Sequence, residues 1–234
     1  MIQPRGLVVL ISGRGSNLAA LALAAEDGVL PEPVRAAISD SPNAAGLTRA
    51  SEYGIDSVCV DRSQHPDRAR FEASLDAAID GYAPRYIVLA GFMRVLSTGF
   101  VNRRRGQMIN IHPSLLPRHR GLDTHRKALE AEDRVHGASV HFVTPALDGG
   151  PVISQAHIDV RKGDTPDELA RRLLPLEHRL LVQTTALLLN KTVEVHDETI
   201  YVNGQSLEHP LDLDRDLADA ESGDDPGIRA DQGR

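Results

Sequence analysis

A chain of 234 residues, 41% hydrophobic and 25% charged, has the length and balance of one generous water-soluble domain with room for an appendage. A formal net charge of −7 and an aromatic content of 3% without Trp argue against a general nucleic-acid or anionic-membrane partner and against a base-stacking platform. The single cysteine, Cys59, rules out a disulfide framework and favours a cytoplasmic home. In Ser57-Val-Cys59-Val60 it reads as a buried strand position. No apolar run reaches membrane-spanning length, and Met1 to Gly6 carries no signal-peptide pattern, so no membrane association is expected.

In chain order, Leu7 to Ser12 is a continuous apolar run of the kind that forms a central parallel strand. Gly13-Arg14-Gly15-Ser16-Asn17 follows, then an Ala/Leu helix from Leu18 to Ala25. Strand, glycine turn and helix offer backbone N–H groups and a helix N-terminus to a phosphate. A plain tight turn capped by Ser16 or Asn17 is the competing reading. No Gly-Lys-Ser/Thr follows, and Leu18 stands where a dinucleotide fingerprint needs glycine, so a phosphate monoester is the better fit.

A strand over 34–39, a turn at 40–43, a helix over 44–53, a strand over 56–60 and a helix over 67–79 come next. Arg68 and Arg70 fall in the first turn of the last helix, where cations oppose the helix dipole; this hints at an anionic ligand, with a solvated surface charge as the commoner reading. Tyr86 to Ala90 is a buried strand ending in Gly91-Phe92-Met93-Arg94-Val95-Leu96, a flat apolar slot with a cation at one side.

Met108-Ile-Asn110-Ile-His112-Pro113 is a strand cut off by proline. Asn110 and His112 are two apart and share a face. Asp148, in Leu147-Asp-Gly-Gly-Pro151, lies in a turn able to bring a carboxylate beside them. Amide, imidazole and carboxylate suit a reaction that builds negative charge on a carbonyl oxygen while an amine loses a proton.

A helix is expected over 124–132, and strands over 138–143 and 149–160 as antiparallel partners. Thr165-Pro-Asp-Glu168 opens a helix to about Leu189 with the stripe Leu169, Leu173, Leu176, Leu180 and Leu187, bent at Pro175. Residues 193–195 and 199–202 read as a hairpin, and 211–234 as an acidic disordered tail.

With these residues assembled, the chain resembles the phosphoribosylglycinamide formyltransferases of the folate-dependent formyltransferase superfamily, over roughly residues 6–205. The resemblance rests on Ile11-Ser-Gly-Arg-Gly-Ser-Asn-Leu18, Leu89-Ala-Gly-Phe-Met-Arg94, Asn110-Ile-His-Pro-Ser-Leu-Leu-Pro117, Gly121-Leu-Asp-Thr-His-Arg126 and Leu147-Asp-Gly-Gly-Pro151. It implies an α/β, Rossmann-like formyltransferase fold, with a mostly parallel central sheet flanked by helices and an antiparallel C-terminal extension. It implies formyl transfer from 10-formyltetrahydrofolate to glycinamide ribonucleotide in purine synthesis, by a monomer or homodimer without a metal. Asn110, His112 and Asp148 would be catalytic. Gly15, Ser16 and Asn17 would hold the ribonucleotide phosphate and Glu177 its ribose. Arg68, Met93, Arg94, Val95, Leu96, Asn110, Thr144 and Leu147 would accommodate the folate. Arg14, Asp123 and Pro175 depart from the usual pattern.

A formyltetrahydrofolate hydrolase with the same three residues and water as acceptor is the alternative, though such proteins usually carry a further domain ahead of this one. A methionyl-tRNA formyltransferase would need an RNA-binding domain and positive charge. Ten scattered histidines without a His-Glu-x-x-His pattern do not suggest a metallohydrolase. A nucleotide-sensing module would use the glycine turn alone.

Overall fold

The computed structural model describes residues 6–196 and 198–217. Its eleven described strands and six α-helices begin with β1 (Leu7–Ile11), α1 (Ser16–Glu26), β2 (Val34–Ser39), α2 (Ala45–Glu52) and β3 (Asp56–Cys59). After a 3₁₀ turn at Arg62–Gln64 come α3 (Arg68–Asp80), β4 (Tyr86–Leu89), α4 (Thr98–Arg103) and β5 (Met108–His112). The chain continues with α5 (Thr124–Glu130), β6 (Val135–Phe142), β7 (Val152–Asp159) and α6 (Pro166–Asn190). It closes with β8 (Val193–His196), β9 (Thr199–Val202), β10 (Gln205–Ser206) and β11 (Leu211–Asp212).

Eight strands form one sheet in the order β11-β7-β6-β5-β4-β1-β2-β3, and β10-β9-β8 form a separate antiparallel sheet. From β3 to β5 all pairings are parallel, whereas β6 runs antiparallel to β5 and β7 antiparallel to β6. Strand order reverses beside β1, since the chain moves outward to β2 and β3 and then returns to β4 on the other flank. Open α/β sheets bind ligands in the crevice at such a reversal.

β1 is wholly buried because both faces of the sheet are covered, which is why its sequence does not alternate. Leu7, Val9 and Ile11 pack in the core containing residues of α1 and α6; Val8 and Leu10 join Phe71, Leu75 and Phe100 from α3 and α4 on the other side. α6 opens with a capping box, Thr165 accepting from the Glu168 backbone while the Glu168 carboxylate accepts from the Thr165 backbone. Leu169, Leu173 and Leu180 of its stripe are fully buried. The helix stays continuous through Pro175, so Glu177 remains on it.

Two expectations need correction. Cys59 is exposed, not buried, because β3 is the outer edge of the sheet. Partial burial followed by the charges of Asp61 and Asp40 pushes its thiol pKa up, so it is not an activated nucleophile. At the other end, the expected disordered tail begins too early. Leu211 and Asp212 pair with Ser154 and Gln155 of β7, and Leu213 and Leu217 are buried. Leucines at the start of an acidic stretch were enough to hold it to the core; positions 218–234 lie outside the described residues.

Candidate active site

β5 extends past β4. Leu89, the last residue of β4, is level with Asn110, so His112 projects beyond it. Asn110 and His112 lie on one face, as their spacing requires. His141 on β6 stands opposite Asn110 in the ladder, and Asn110 Nδ2 lies 3.0 Å from His141 Nε2. His141 Nδ1 lies 2.9 Å from the Phe142 carbonyl and donates to it, which leaves Nε2 as the acceptor for the Asn110 amide. Burial, the largest influence, lowers the His141 pKa, in keeping with this neutral form.

The loop between β6 and β7 folds back over this face. Asp148, in the left-handed region at φ 44°, brings Oδ2 to 3.6 Å from His112 Nδ1 and Oδ1 to 3.7 Å from His141 Nε2. Both separations exceed hydrogen-bond length, so the carboxylate acts on the two rings as a nearby charge. The Gly121 N–H donates to Asp148 Oδ2 at 2.9 Å and fixes its orientation. Gly150 lets the loop lie this close, because a Cβ there would come to 1.9 Å from the Phe142 carbonyl oxygen. The His112 ring is buried, and its Nε2 lies 3.1 Å from the backbone carbonyl of His119. Asn110, His112 and Asp148 are thus brought together as expected. His141 joins them unannounced by local pattern; only the strand register reveals it.

β1 lies two strands from β5, about 10 Å away at ordinary strand spacing. Gly15 there adopts φ 71° and gives α1 no side-chain cap, so neither Ser16 nor Asn17 plays the capping role considered above. The first-turn N–H groups of α1 keep their character as anion donors. The half-buried Asn17 has its Oδ1 without a partner. Glu177, half-buried on α6, has its pKa pushed up to about 7 by burial, partly offset by hydrogen bonding from Asn17. A glycine turn, an amide with an unused acceptor and a carboxyl group therefore line one region.

Ser12 joins this turn to the segment after β4 by accepting from the Met93 N–H at 2.8 Å. In that segment Phe92 and Leu96 belong to the core, while Met93 and Val95 are 65% and 64% exposed. The expected apolar slot is therefore presented by Met93 and Val95, not by Leu96. Arg94 is held by the buried Asp40 at 2.5 Å, and Asp40 Oδ1 has no partner. Arg68 pairs with Glu72 at 2.9 Å, and Glu72 also receives the Ser97 backbone N–H at 2.6 Å. The unfavourable cations at the start of α3 are offset by Asp67, which accepts from the Arg70 N–H at 2.8 Å. Leu147 is exposed on the Asp148 loop, where Thr144 lies close to the Ala146 carbonyl. Asp123 is the left-handed N-terminal residue of α5, and its side chain is exposed and paired with Arg126. No group of three or more potential metal ligands occurs among the described residues. No helix among them is long and apolar enough to cross a membrane.

A doubly wound α/β sheet with an amide, two imidazoles and a carboxylate beside an anion-ready glycine turn defines a group-transfer type of site. The formyl transferase family model matches residues 5–185, and the chain belongs to that family. It is 44% identical to the phosphoribosylglycinamide formyltransferase of Escherichia coli over 201 residues, 86% of this chain and 95% of that protein. It is 36% identical to the human trifunctional purine biosynthetic protein adenosine-3, of whose length it spans only 19%. Among solved structures, the phosphoribosylglycinamide formyltransferase of Coxiella burnetii superposes with a TM-score of 0.85 at 41% identity, covering 90% of this chain and 99% of that one. A formyltetrahydrofolate deformylase from Pseudomonas putida superposes at 0.76 with 25% identity, covering 86% of this chain and 70% of that one.

Proposed function

We propose that this chain transfers the formyl group of 10-formyltetrahydrofolate to the amine of glycinamide ribonucleotide, in the cytoplasm and without a metal, as a step of purine synthesis. The carrying observation is the convergence of Asn110, His112 and Asp148 on one face of β5, two strands from the glycine turn of α1. Identity of 44% to the Escherichia coli enzyme, against 25% to the deformylase, supports the transferase over the hydrolase.

In this reading Gly15, Ser16 and Asn17 bind the ribonucleotide phosphate through backbone donors, and Glu177 with Asn17 Oδ1 takes the ribose hydroxyls. Arg68, Met93, Arg94, Val95, Leu96, Thr144 and Leu147 border the folate, with Leu96 supporting from the core. The amine attacks the formyl carbon to give a tetrahedral oxyanion; as this collapses, the N10–formyl bond breaks, the proton lost by the amine passes to N10, and tetrahydrofolate leaves. Asn110 holds His141 with one amide hydrogen and has a second for the developing oxyanion. Since His112 Nε2–H is directed at the His119 carbonyl, Nδ1 is the ring atom left to exchange protons. Protonated, it donates toward the oxyanion or toward Asp148, whose charge stabilises the imidazolium. Holding both reactants contributes much of the acceleration, since effective molarities correspond to roughly 7–11 kcal/mol.

Purified protein given 10-formyltetrahydrofolate with and without glycinamide ribonucleotide tests this. Formyl transfer only in the presence of the ribonucleotide is expected. Release of formate to water at the same rate in both would favour the hydrolase instead.

A further inference from the structure

The segment between Pro117 and Gly121 touches both partners of the imidazole–carboxylate pair with its backbone alone. The His119 carbonyl faces His112 Nε2 at 3.1 Å, and two residues on, the Gly121 N–H donates to Asp148 Oδ2 at 2.9 Å. His119 holds this position at φ 52°, a left-handed conformation that is costly for a residue with a Cβ and persists only when something else secures it. That anchor is Asp133, beyond the C-terminal end of α5. Its carboxylate, 7% exposed, meets His119 Nε2 at 2.7 Å and also takes the Arg118 guanidinium. Ser114 adds a bond to the Arg118 carbonyl at 2.7 Å, and Lys127 one to the Arg120 carbonyl at 2.9 Å.

We infer that the Asp133–His119 pair is a positioning device for the reaction, fixing the strap that sets the His112 tautomer and the orientation of Asp148. This rests on the functional reading above. Neither residue reaches the reacting atoms; both act through the backbone at 119–121. With the carbonyl in place, Nε2 of His112 carries a proton and Nδ1 is the ring nitrogen left facing Asp148. With the strap released, either nitrogen can carry it, and a share of the molecules presents the wrong one.

The experiment uses the full chain with ¹⁵N-labelled histidine, the His112 signals being assigned by their loss in His112→Ala. The unaltered protein should show His112 protonated at Nε2. Asp133→Asn and His119→Leu should give a mixture of tautomers, with kcat lowered about 10-fold and both KM values nearly unchanged. His119→Gln, which retains a donor for Asp133, should recover most of the rate. An unmoved His112 tautomer in Asp133→Asn and His119→Leu, or a loss confined to KM, overturns the positioning role. Should Asp133→Asn fail to fold, His119→Leu decides alone. Absence of formyl transfer by the unaltered protein overturns the functional reading instead, because the tautomer is read without turnover.

Discussion

Asn110 and His141 face each other across the antiparallel pair β5–β6 and meet at 3.0 Å. The contact fixes which way the amide points: Nδ2 toward the ring, with its other hydrogen left for a substrate oxygen. Replacing His141 with Phe removes the acceptor that orients the amide and leaves Asp148 with one imidazole to face. A fall in kcat of about 10²-fold, the scale of a lost oxyanion donor, is expected in steady-state assays.

His112→Ala removes the ring whose Nδ1 faces Asp148. The expected loss in kcat is at least about 10²–10³-fold, with glycinamide ribonucleotide still bound by calorimetry, since the glycine turn proposed to hold its phosphate lies two strands away. A kcat close to that of the unaltered protein would remove His112 from the mechanism.

Gly15→Ala places a methyl 2.7 Å from the Cα of Gly46 in a left-handed position. Strain of about 1–3 kcal/mol should appear as a lowered midpoint in urea unfolding. The ribonucleotide KM should rise much more than kcat falls, because the turn that would hold the phosphate is displaced.

Glu177 supplies a pH-dependent signature. Its pKa in the folded chain, about 7, lies above the ordinary 4.5, so between these values the native state holds the proton more tightly than the unfolded chain. Its contribution to stability is therefore lost as pH rises through that window. Glu177→Gln cannot ionise, and its Tm relative to the unaltered protein should be higher at pH 8 than at pH 5. The same substitution should weaken ribonucleotide binding.

His136 acts in the opposite sense. Burial, then the neighbouring His125 and His119, lowers its pKa to about 4, while the unfolded side chain titrates near 6.5. The unfolded state gains its proton first as pH falls, so stability declines from about 6.5 down to 4. His136→Gln should flatten that decline in thermal melts taken across the window, while His125 Nδ1, 3.0 Å from the His136 ring, loses its partner.

Much of this arrangement is legible in the chain itself. The apolar run of β1, the glycine turn and the leucine spacing of α6 each report local geometry, and local geometry is what sequence periodicity encodes. The two-residue spacing of Asn110 and His112 places them on one face without further information. His141 was hidden because its role depends on β6 register, which no short stretch specifies. The pairing of Arg94 with Asp40 and the burial of Leu96 were hidden because they depend on how one loop packs against another part of the chain. An apolar loop composition does not say which side chains turn inward. Cys59 was misread because an apolar strand pattern does not say whether a neighbour covers it, and β3 has none on its outer side.

The pairing of Leu211 and Asp212 with β7 carries a practical consequence. Shortening the chain to end before Leu211 would bare the flank of Ser154 and Gln155 and uncover the hydrophobic surface seated by Leu213 and Leu217. Such a protein would meet other copies of itself along that open strand and aggregate, even with every catalytic group intact.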